Sequence, residues 1–272
     1  MSPYSPSRYW AALHERGDLS AVGQSGLSNE MNSWLYRILR RNLDRFLRRN
    51  GAAHIAGAAF EVGAGTGYWF DVWHDLGAER VDGCDLVPAA VESLKARFGS
   101  LGSFEVADIA AEGALEDRTY GFVACMNVLL HVTDESKFDT ALANVARLVA
   151  PGGRLLLTEP ILFRPQFEML YDPEDESRAR PLARYREGLG AHGLELLAVA
   201  GATAVGNNPI EGRWRWVLAM WQASWLASSL PTRIHRVNSS WVGRVLYTID
   251  PLLMAMGAAP SSKFALFQRP QT

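Results

Sequence analysis

The sequence has few of the features that mark secreted, membrane-spanning or nucleic-acid-binding chains. Its only two cysteines, Cys84 and Cys125, fall in predicted buried strands. This argues against a disulfide framework or a zinc site and favours a reducing compartment, so we expect a cytoplasmic protein. No stretch reaches the ~20 apolar residues that span a bilayer. The nearest candidate, residues 217–230, is too short, which leaves only contact with a membrane surface as an open alternative.

The N-terminal residues and the charge pattern carry two further expectations. Residues 1–8 are polar and lack the apolar segment of a signal peptide. The formal net charge is -2, and no long basic run occurs. We therefore expect no nucleic-acid partner.

Alternating strand and helix patterns run through the middle of the chain. Apolar residues recur at threes and fours over residues 29–49, which predicts a helix whose opposite, arginine-rich face is solvated. Predicted strands at 58–62, 80–84, 102–106, 122–127 and 154–158 are then separated by helices or turns. This order predicts an α/β fold, a doubly wound parallel sheet with helices on both faces.

A glycine-rich turn follows the first of these strands. It reads Glu61-Val-Gly63-Ala-Gly65-Thr-Gly67, and Asp85 ends the second strand 24 residues beyond Glu61. Glycine allows tight turns and close approach of a ligand. A carboxylate at the tip of the second strand is placed to accept hydrogen bonds from ribose hydroxyls.

Further polar residues follow the next strands. Asp108-Ile109 comes after the third strand and Asn127-Val128 after the fourth. Ligands of open parallel sheets bind outside the carboxyl ends of the strands, so these residues belong to one predicted site.

Residues 58–159 resemble the class I S-adenosylmethionine-dependent methyltransferases. The resemblance rests on the Glu61–Gly67 turn, Asp85, Asp108-Ile109 and the Pro151-Gly152-Gly153 turn before the fifth strand. It implies a Rossmann-like, seven-stranded and mostly parallel sheet, with N-terminal helices and a late helical cap insertion. The seventh strand would be antiparallel, and residues 263–268 suit it.

The resemblance also implies a division of the chain and roles for single residues. The expected regions are an N-terminal arm or lid (1–50), a cofactor-binding core (51–200), a Trp-rich helical cap (201–262) and the final core strand (263–272). The implied cofactor residues, from the amino-acid end to the adenine, are Glu61, Gly63, Gly65, Gly67, Asn127, Asp85, Leu86, Asp108 and Ile109.

A dinucleotide is the competing cofactor for this turn. Its fingerprint is Gly-x-Gly-x-x-Gly, whereas the glycines here alternate and are followed by the bulky Tyr68, Trp69 and Phe70. The spacing favours S-adenosylmethionine.

Methyl transfer requires alignment of the acceptor and, for some acceptors, a base. His131 after the fourth strand and Glu159 at the end of the fifth are the candidates, whereas His14, His192 and His235 are expected to be surface or structural residues. No acidic pair suited to magnesium is evident, so we expect no metal.

The acceptor side is predicted from aromatic and basic residues outside the core. Trp214, Leu218, Trp221 and Trp225 share one helical face in the insertion, which suits packing, an apolar acceptor or a homodimer contact. The predicted acceptor-contacting residues are Tyr9, Trp10, Arg37 and Trp214.

These patterns favour methyl transfer to a small-molecule or lipid-like acceptor, with oxygen favoured over nitrogen or carbon. The absence of an Asn/Asp-Pro-Pro-aromatic motif after the fourth strand argues against methylation of DNA adenine or of glutamine side-chain amides. A protein or peptide N-methyltransferase and a non-catalytic scaffold with the same fold remain the alternatives.

Overall fold

A computed structural model describes most of the chain. The described residues are 6–15, 18–24, 27–115, 118–163, 170–172, 177–206, 209–211, 215–216, 218–223, 239–255 and 261–271. Among these residues, no helix is both long and apolar enough to cross a membrane.

Over residues 58–159, strands are separated by helices or turns as the sequence predicts. The helices are α1 Pro6–His14, α2 Asn29–Arg49, α3 Phe70–Asp75, α4 Pro88–Phe98, α5 Glu135–Arg147, α6 Leu182–Gly190 and α7 Ser239–Ala255. The strands are β1 Ala58–Val62, β2 Arg80–Asp85, β3 Phe104–Val106, β4 Tyr120–Met126, β5 Val149–Glu159, β6 Ile161–Leu162, β7 Leu170–Asp172, β8 Ser177–Arg178, β9 Arg180–Pro181, β10 Glu195–Gly201 and β11 Lys263–Gln268. Two 3₁₀ turns, Leu19–Ala21 and Leu129–His131, are also present, and the described residues 215–216 and 218–223 are helical.

Seven strands form one sheet in the order β10-β11-β5-β4-β1-β2-β3. Strands β1 to β5 pair in parallel, whereas β11 is antiparallel to both β5 and β10. The predicted seven-stranded, mostly parallel sheet is confirmed, and residues 263–268 form its antiparallel strand.

Both faces of the sheet are covered, which is why its central strand β4 is predominantly apolar. In β4, Val123 and Cys125 pack on one side among residues of α5 and α6. Phe122 and Ala124 pack on the other side among residues of α2, α3 and α4. The two free cysteines are buried, as their strand positions predict.

Helix boundaries follow from local capping. The Ser28 side chain accepts a hydrogen bond from the Met31 N–H, so α2 begins at Asn29 as predicted. A cap of this kind stabilises a helix by about 1 kcal/mol.

The predicted turn at Pro151–Gly153 is instead part of a longer β5, in which Gly152 adopts φ 74°.

Helix α7 of the late insertion packs on α2 through a buried carboxylate. Asp250 is fully buried and accepts hydrogen bonds from Arg41 at 2.9 Å and from Asn42 at 2.7 Å. The Arg41 guanidinium also lies 4.2 Å from the Tyr247 ring centroid. The prediction of a wholly solvated arginine face is therefore wrong for Arg41, because α7 covers that part of α2.

Candidate active site

A cavity of about 340 Å³ opens at the carboxyl ends of the parallel strands. Residues of the β1 and β2 ends, and of the segments after β3 and β4, line it together with α1. This is the edge at which ligands of open α/β sheets bind. The predicted site residues that line it are Trp10, Glu61, Gly63, Gly65, Asp85, Leu86, Asp108, Ile109, Asn127 and His131.

The glycine turn after β1 needs backbone conformations that favour glycine. Gly63 and Gly65 have φ of 67° and 55°, and both line the cavity. A Cβ on Gly63 would lie 2.3 Å from Val128 Cγ2. The turn is thus pressed against the segment that follows β4.

Gly67 serves packing instead of ligand approach. It is absent from the cavity lining, and a Cβ at this position would lie 2.7 Å from Phe98 and 2.8 Å from Leu94. The prediction that Gly67 gives a cofactor close approach is therefore corrected, because its hydrogen lies against α4.

Glu61 is a buried carboxyl group beside the cavity. Its Oε2 accepts a 2.9 Å hydrogen bond from the Trp73 indole, while the buried Oε1 has no hydrogen-bond partner. Burial raises the pKa of Glu61 well above its ordinary value, and the nearby Asp85 charge adds to the rise. An orphaned buried acceptor at the cavity wall suits a cationic ligand group such as an ammonium.

Asp85 ties the glycine turn to the end of β2. Its carboxylate accepts hydrogen bonds from the Gly65 N–H at 2.8 Å and the Val87 N–H at 2.9 Å. Burial raises the pKa of Asp85, whereas these N–H groups and His14 oppose the rise. The carboxylate is therefore oriented at the cavity wall before any ligand binds.

Four further predicted cofactor residues line the same cavity. Leu86 and Ile109 offer apolar side chains, and the Asp108 carboxylate accepts a 2.9 Å hydrogen bond from the Ala110 N–H. Asn127 has φ 58°, the only positive φ of a non-glycine residue in the described part of the chain. Such strain is commonly held in place at functional sites.

Helix α1 covers one side of the cavity. Pro6, Trp10 and His14, spaced by four residues, all line it. The expectation that His14 is a surface or structural residue is therefore wrong: burial lowers its pKa, against the attraction of Asp85. The i, i+4, i+8 spacing was visible in the sequence, although nothing there showed what α1 covers.

His131 and Glu159, the two predicted bases, lie in different environments. His131 lines the cavity, and its ring centroid is 4.8 Å from that of Trp10. Glu159 is fully buried, does not line the cavity, and its carboxylate accepts hydrogen bonds from the N–H groups of Val128, Leu129 and Leu130. We therefore correct the expected role of Glu159, because an acceptor in the cavity cannot reach it.

The predicted acceptor contacts are only partly brought together. Tyr9 stacks edge-on against Trp10 at 5.3 Å but does not line the cavity. Arg37 is exposed and lies over the Trp34 ring, away from the cavity. Trp214 lies outside the described residues.

The structure adds an aromatic wall that the sequence reasoning did not assign. Tyr36, Tyr68 and Trp69 line the cavity, with 4.6 Å between the ring centroids of Tyr36 and Tyr68. Tyr68 and Trp69 directly follow Gly67 in the sequence, and this position next to the glycine turn could have predicted that they line the cavity. In the described ranges, no three His, Cys, Asp or Glu side chains cluster as a metal site.

Comparison with known proteins agrees with this geometry. Residues 59–153 match the family model described as "Methyltransferase domain". A curated relative, the highly reducing polyketide synthase cm3B of Cordyceps militaris, is 31% identical over 93 residues, which are 32% of this chain and 4% of that protein. The chain thus spans a small fraction of this relative's length.

Two solved structures share the fold at low identity. One is a SAM-dependent methyltransferase from Leishmania major, 17% identical, with 72% of this chain and 74% of that chain covered and a TM-score of 0.57. The other is an S-adenosylmethionine-dependent methyltransferase from Clostridium acetobutylicum, 10% identical, with coverages of 86% and 92% and a TM-score of 0.54. Residues 59–153 are therefore a methyltransferase domain, and the chain shares the fold of these two S-adenosylmethionine-dependent methyltransferases.

Proposed function

We propose that this methyltransferase acts on a small or lipid-like organic acceptor and transfers the methyl group to oxygen. The observation that carries the proposal is the half-buried His131 at the cavity wall, beside Trp10. An imidazole there can take the proton of a hydroxyl acceptor, and the aromatic wall suits an apolar molecule.

The cofactor-binding roles are part of the same proposal. The orphaned Oε1 of Glu61 would accept the ammonium of S-adenosylmethionine, while Gly63 and Gly65 leave room for its amino-acid end. Asp85 would bind the ribose hydroxyls. Leu86, Asp108 and Ile109 would hold the adenine, and the Asn127 backbone carbonyl would reach the ammonium.

The chain's own residues have a limited chemical task. Bound S-adenosylmethionine supplies an activated methyl group on a sulfonium. The walls formed by α1 and by Tyr36, Tyr68 and Trp69 exclude water and orient the acceptor. His131 accepts the acceptor's proton and later returns it to solvent.

The aromatic lining of the cavity supports an apolar acceptor. The cavity volume of about 340 Å³ falls in the range of pockets for small ligands, and the cofactor would occupy part of it. The fungal relative is named as a polyketide synthase, which supports a lipid-like organic acceptor.

The test uses S-adenosylmethionine with a deuterated methyl group and a panel of phenols, carboxylic acids, amines and peptides, read out by mass spectrometry. We expect label on a hydroxyl or carboxyl compound, and at least about a hundredfold slower transfer by His131→Gln, the low end of the effect of losing a general base.

The alternatives give different results. Label on peptides would replace the proposed acceptor class, and cofactor binding without any transfer would favour a scaffold. His192→Gln is the matched control, since His192 is exposed in the turn after α6 and does not line the cavity.

A further inference from the structure

The turn that carries His131 is held from both sides by two fully buried ionisable side chains. Glu159 and Arg180 each have no exposed surface, although neither lines the cavity. Burying an ionisable side chain is costly unless its polar atoms are well paired. Burial raises the pKa of Glu159 to about 8, against the opposing effect of the backbone N–H groups that it binds. Both side chains bind the backbone of residues 128–132.

Glu159 binds the donors of this turn. Its Oε1 accepts hydrogen bonds from the Val128 N–H at 3.0 Å and the Leu129 N–H at 2.8 Å, and its Oε2 accepts one from the Leu130 N–H at 3.0 Å. Its place at the end of β5, adjacent to β4, puts the carboxylate directly beneath the turn.

Arg180 binds the acceptors. Its guanidinium donates to the Leu129 carbonyl at 3.3 Å and the Val132 carbonyl at 2.6 Å. Glu135 orients the guanidinium through a 3.0 Å bond to Nε, and the Phe138 ring lies 3.8 Å from the guanidinium carbon. The parallel pairing of Ile161 with Arg180 brings this residue to the end of β5.

With these contacts, every backbone N–H from residue 127 to residue 132 has a defined partner. The Asn127 N–H donates to the Thr158 carbonyl, residues 128–130 donate to Glu159, and the His131 and Val132 N–H groups close the 3₁₀ turn. The side chains of the same turn that face the cavity include Val128, which touches the Gly63 backbone, and His131. The turn thus links the two buried side chains to the cavity, through Val128 at the glycine turn and through His131 beside Trp10.

We propose that Glu159 and Arg180 are positioning residues that set the placement of Val128 and His131 at the cavity. The inference rests on the proposed function for the role of His131, but the placement itself is independent of the acceptor. Glu159→Gln keeps the size of the side chain and replaces one acceptor oxygen by a donor, which opposes an N–H of the turn. Arg180→Lys keeps the charge but removes the two-pronged contact with the carbonyls.

The matched control is Arg184→Lys. Arg184 also binds Glu135 and lies over Phe138, but it binds Asp139 instead of a turn carbonyl. The experiment measures amide hydrogen exchange of residues 127–132 and the affinity for S-adenosylhomocysteine by titration calorimetry. Circular dichroism confirms that each variant folds.

We expect Glu159→Gln and Arg180→Lys to speed amide exchange in the turn and to weaken S-adenosylhomocysteine binding about tenfold, the effect of one buried hydrogen bond. The histidine side-chain NMR signal that disappears in His131→Gln should shift in both variants but not in Arg184→Lys. Unchanged exchange and an unshifted His131 signal in both folded variants would overturn the inference. If the parent protein bound no cofactor, the proposed function would fail while amide exchange still decided the role of the two charges.

Discussion

The His131 imidazole meets the Trp10 indole edge-on, with ring centroids 4.8 Å apart and an interplanar angle of 77°. The two residues come from α1 and from the turn after β4, 121 positions apart in the chain. This contact joins the N-terminal helix to the cavity's candidate base, so the helix is part of the site.

We expect Trp10→Ala to weaken S-adenosylhomocysteine binding about three- to tenfold, because an aromatic pair contributes about 0.5–1.5 kcal/mol. Titration calorimetry measures the change. Glu15→Ala, at an exposed position just after α1, should bind as the parent does. Equal affinities of parent and Trp10→Ala would mean that α1 does not cover the bound cofactor.

Two carboxylates on β2 allow the ribose role of Asp85 to be separated from folding. Asp85→Asn should lower cofactor affinity about tenfold or more, since hydrogen bonds to charged groups are worth about 1.5–3 kcal/mol. Asp82, also buried on β2, binds Arg80, Ser103 and Tyr120 away from the cavity. Asp82→Asn should therefore reduce thermal stability and leave affinity unchanged. If Asp85→Asn lost only thermal stability while Asp82→Asn lost affinity, Asp85 would not be a cofactor-binding residue.

Glu61 makes cofactor binding depend on pH. Burial holds its pKa well above 4.5 in the free protein, so the carboxyl group is protonated there over a range in which a free glutamate is ionised. Pairing with an ammonium would favour the ionised form. Binding should therefore release a proton, and affinity should rise with pH until the pKa of the free protein is reached.

Calorimetry over a series of pH values from about 4.5 upward, in buffers with different ionisation enthalpies, counts that proton. Glu61→Gln should bind more weakly and without the pH dependence. For folding the sign is opposite: a carboxyl with a raised pKa stabilises the folded state most at low pH, and this stabilisation is lost as pH rises above about 4.5 towards its folded pKa. A parent affinity that is flat across this range would contradict the assignment.

Gly67 offers a test of packing. Gly67→Ala places a Cβ 2.7 Å from Phe98, at a φ of 76°. We expect a backbone cost of about 1–2 kcal/mol and a further overpacking cost of about 1–3 kcal/mol, measured by denaturant unfolding. Gly57→Ala is the control, because Gly57 has φ 73° and no atom within 4 Å of the added Cβ. Equal losses of stability in Gly67→Ala and Gly57→Ala would show that α4 moves to accommodate the added Cβ without a free-energy cost.

Much of the cofactor side could be predicted because its signals are local. The glycine turn, Asp85 and Asp108-Ile109 each follow a recognisable strand, and parallel strands bring their carboxyl ends to one edge. The limits of α2 were predictable for the same reason, since Ser28 caps its own helix.

The roles of Gly67, His14 and Glu159 were not predictable, because each depends on a partner that is distant in the chain. Gly67 alternates with two cavity glycines but lies against α4. Glu159 follows a strand end just as Asp85 does, yet its carboxylate turns to the backbone of residues 128–130.

The sequence by itself determined the class of fold, the edge of the sheet that holds the site and the methyl donor, since periodicity and strand-end motifs are encoded over short segments. Only the tertiary structure decided which side chains face the cavity. That choice depends on packing between α1, the turn after β4 and the end of β5, whose contacts form only when the chain is folded.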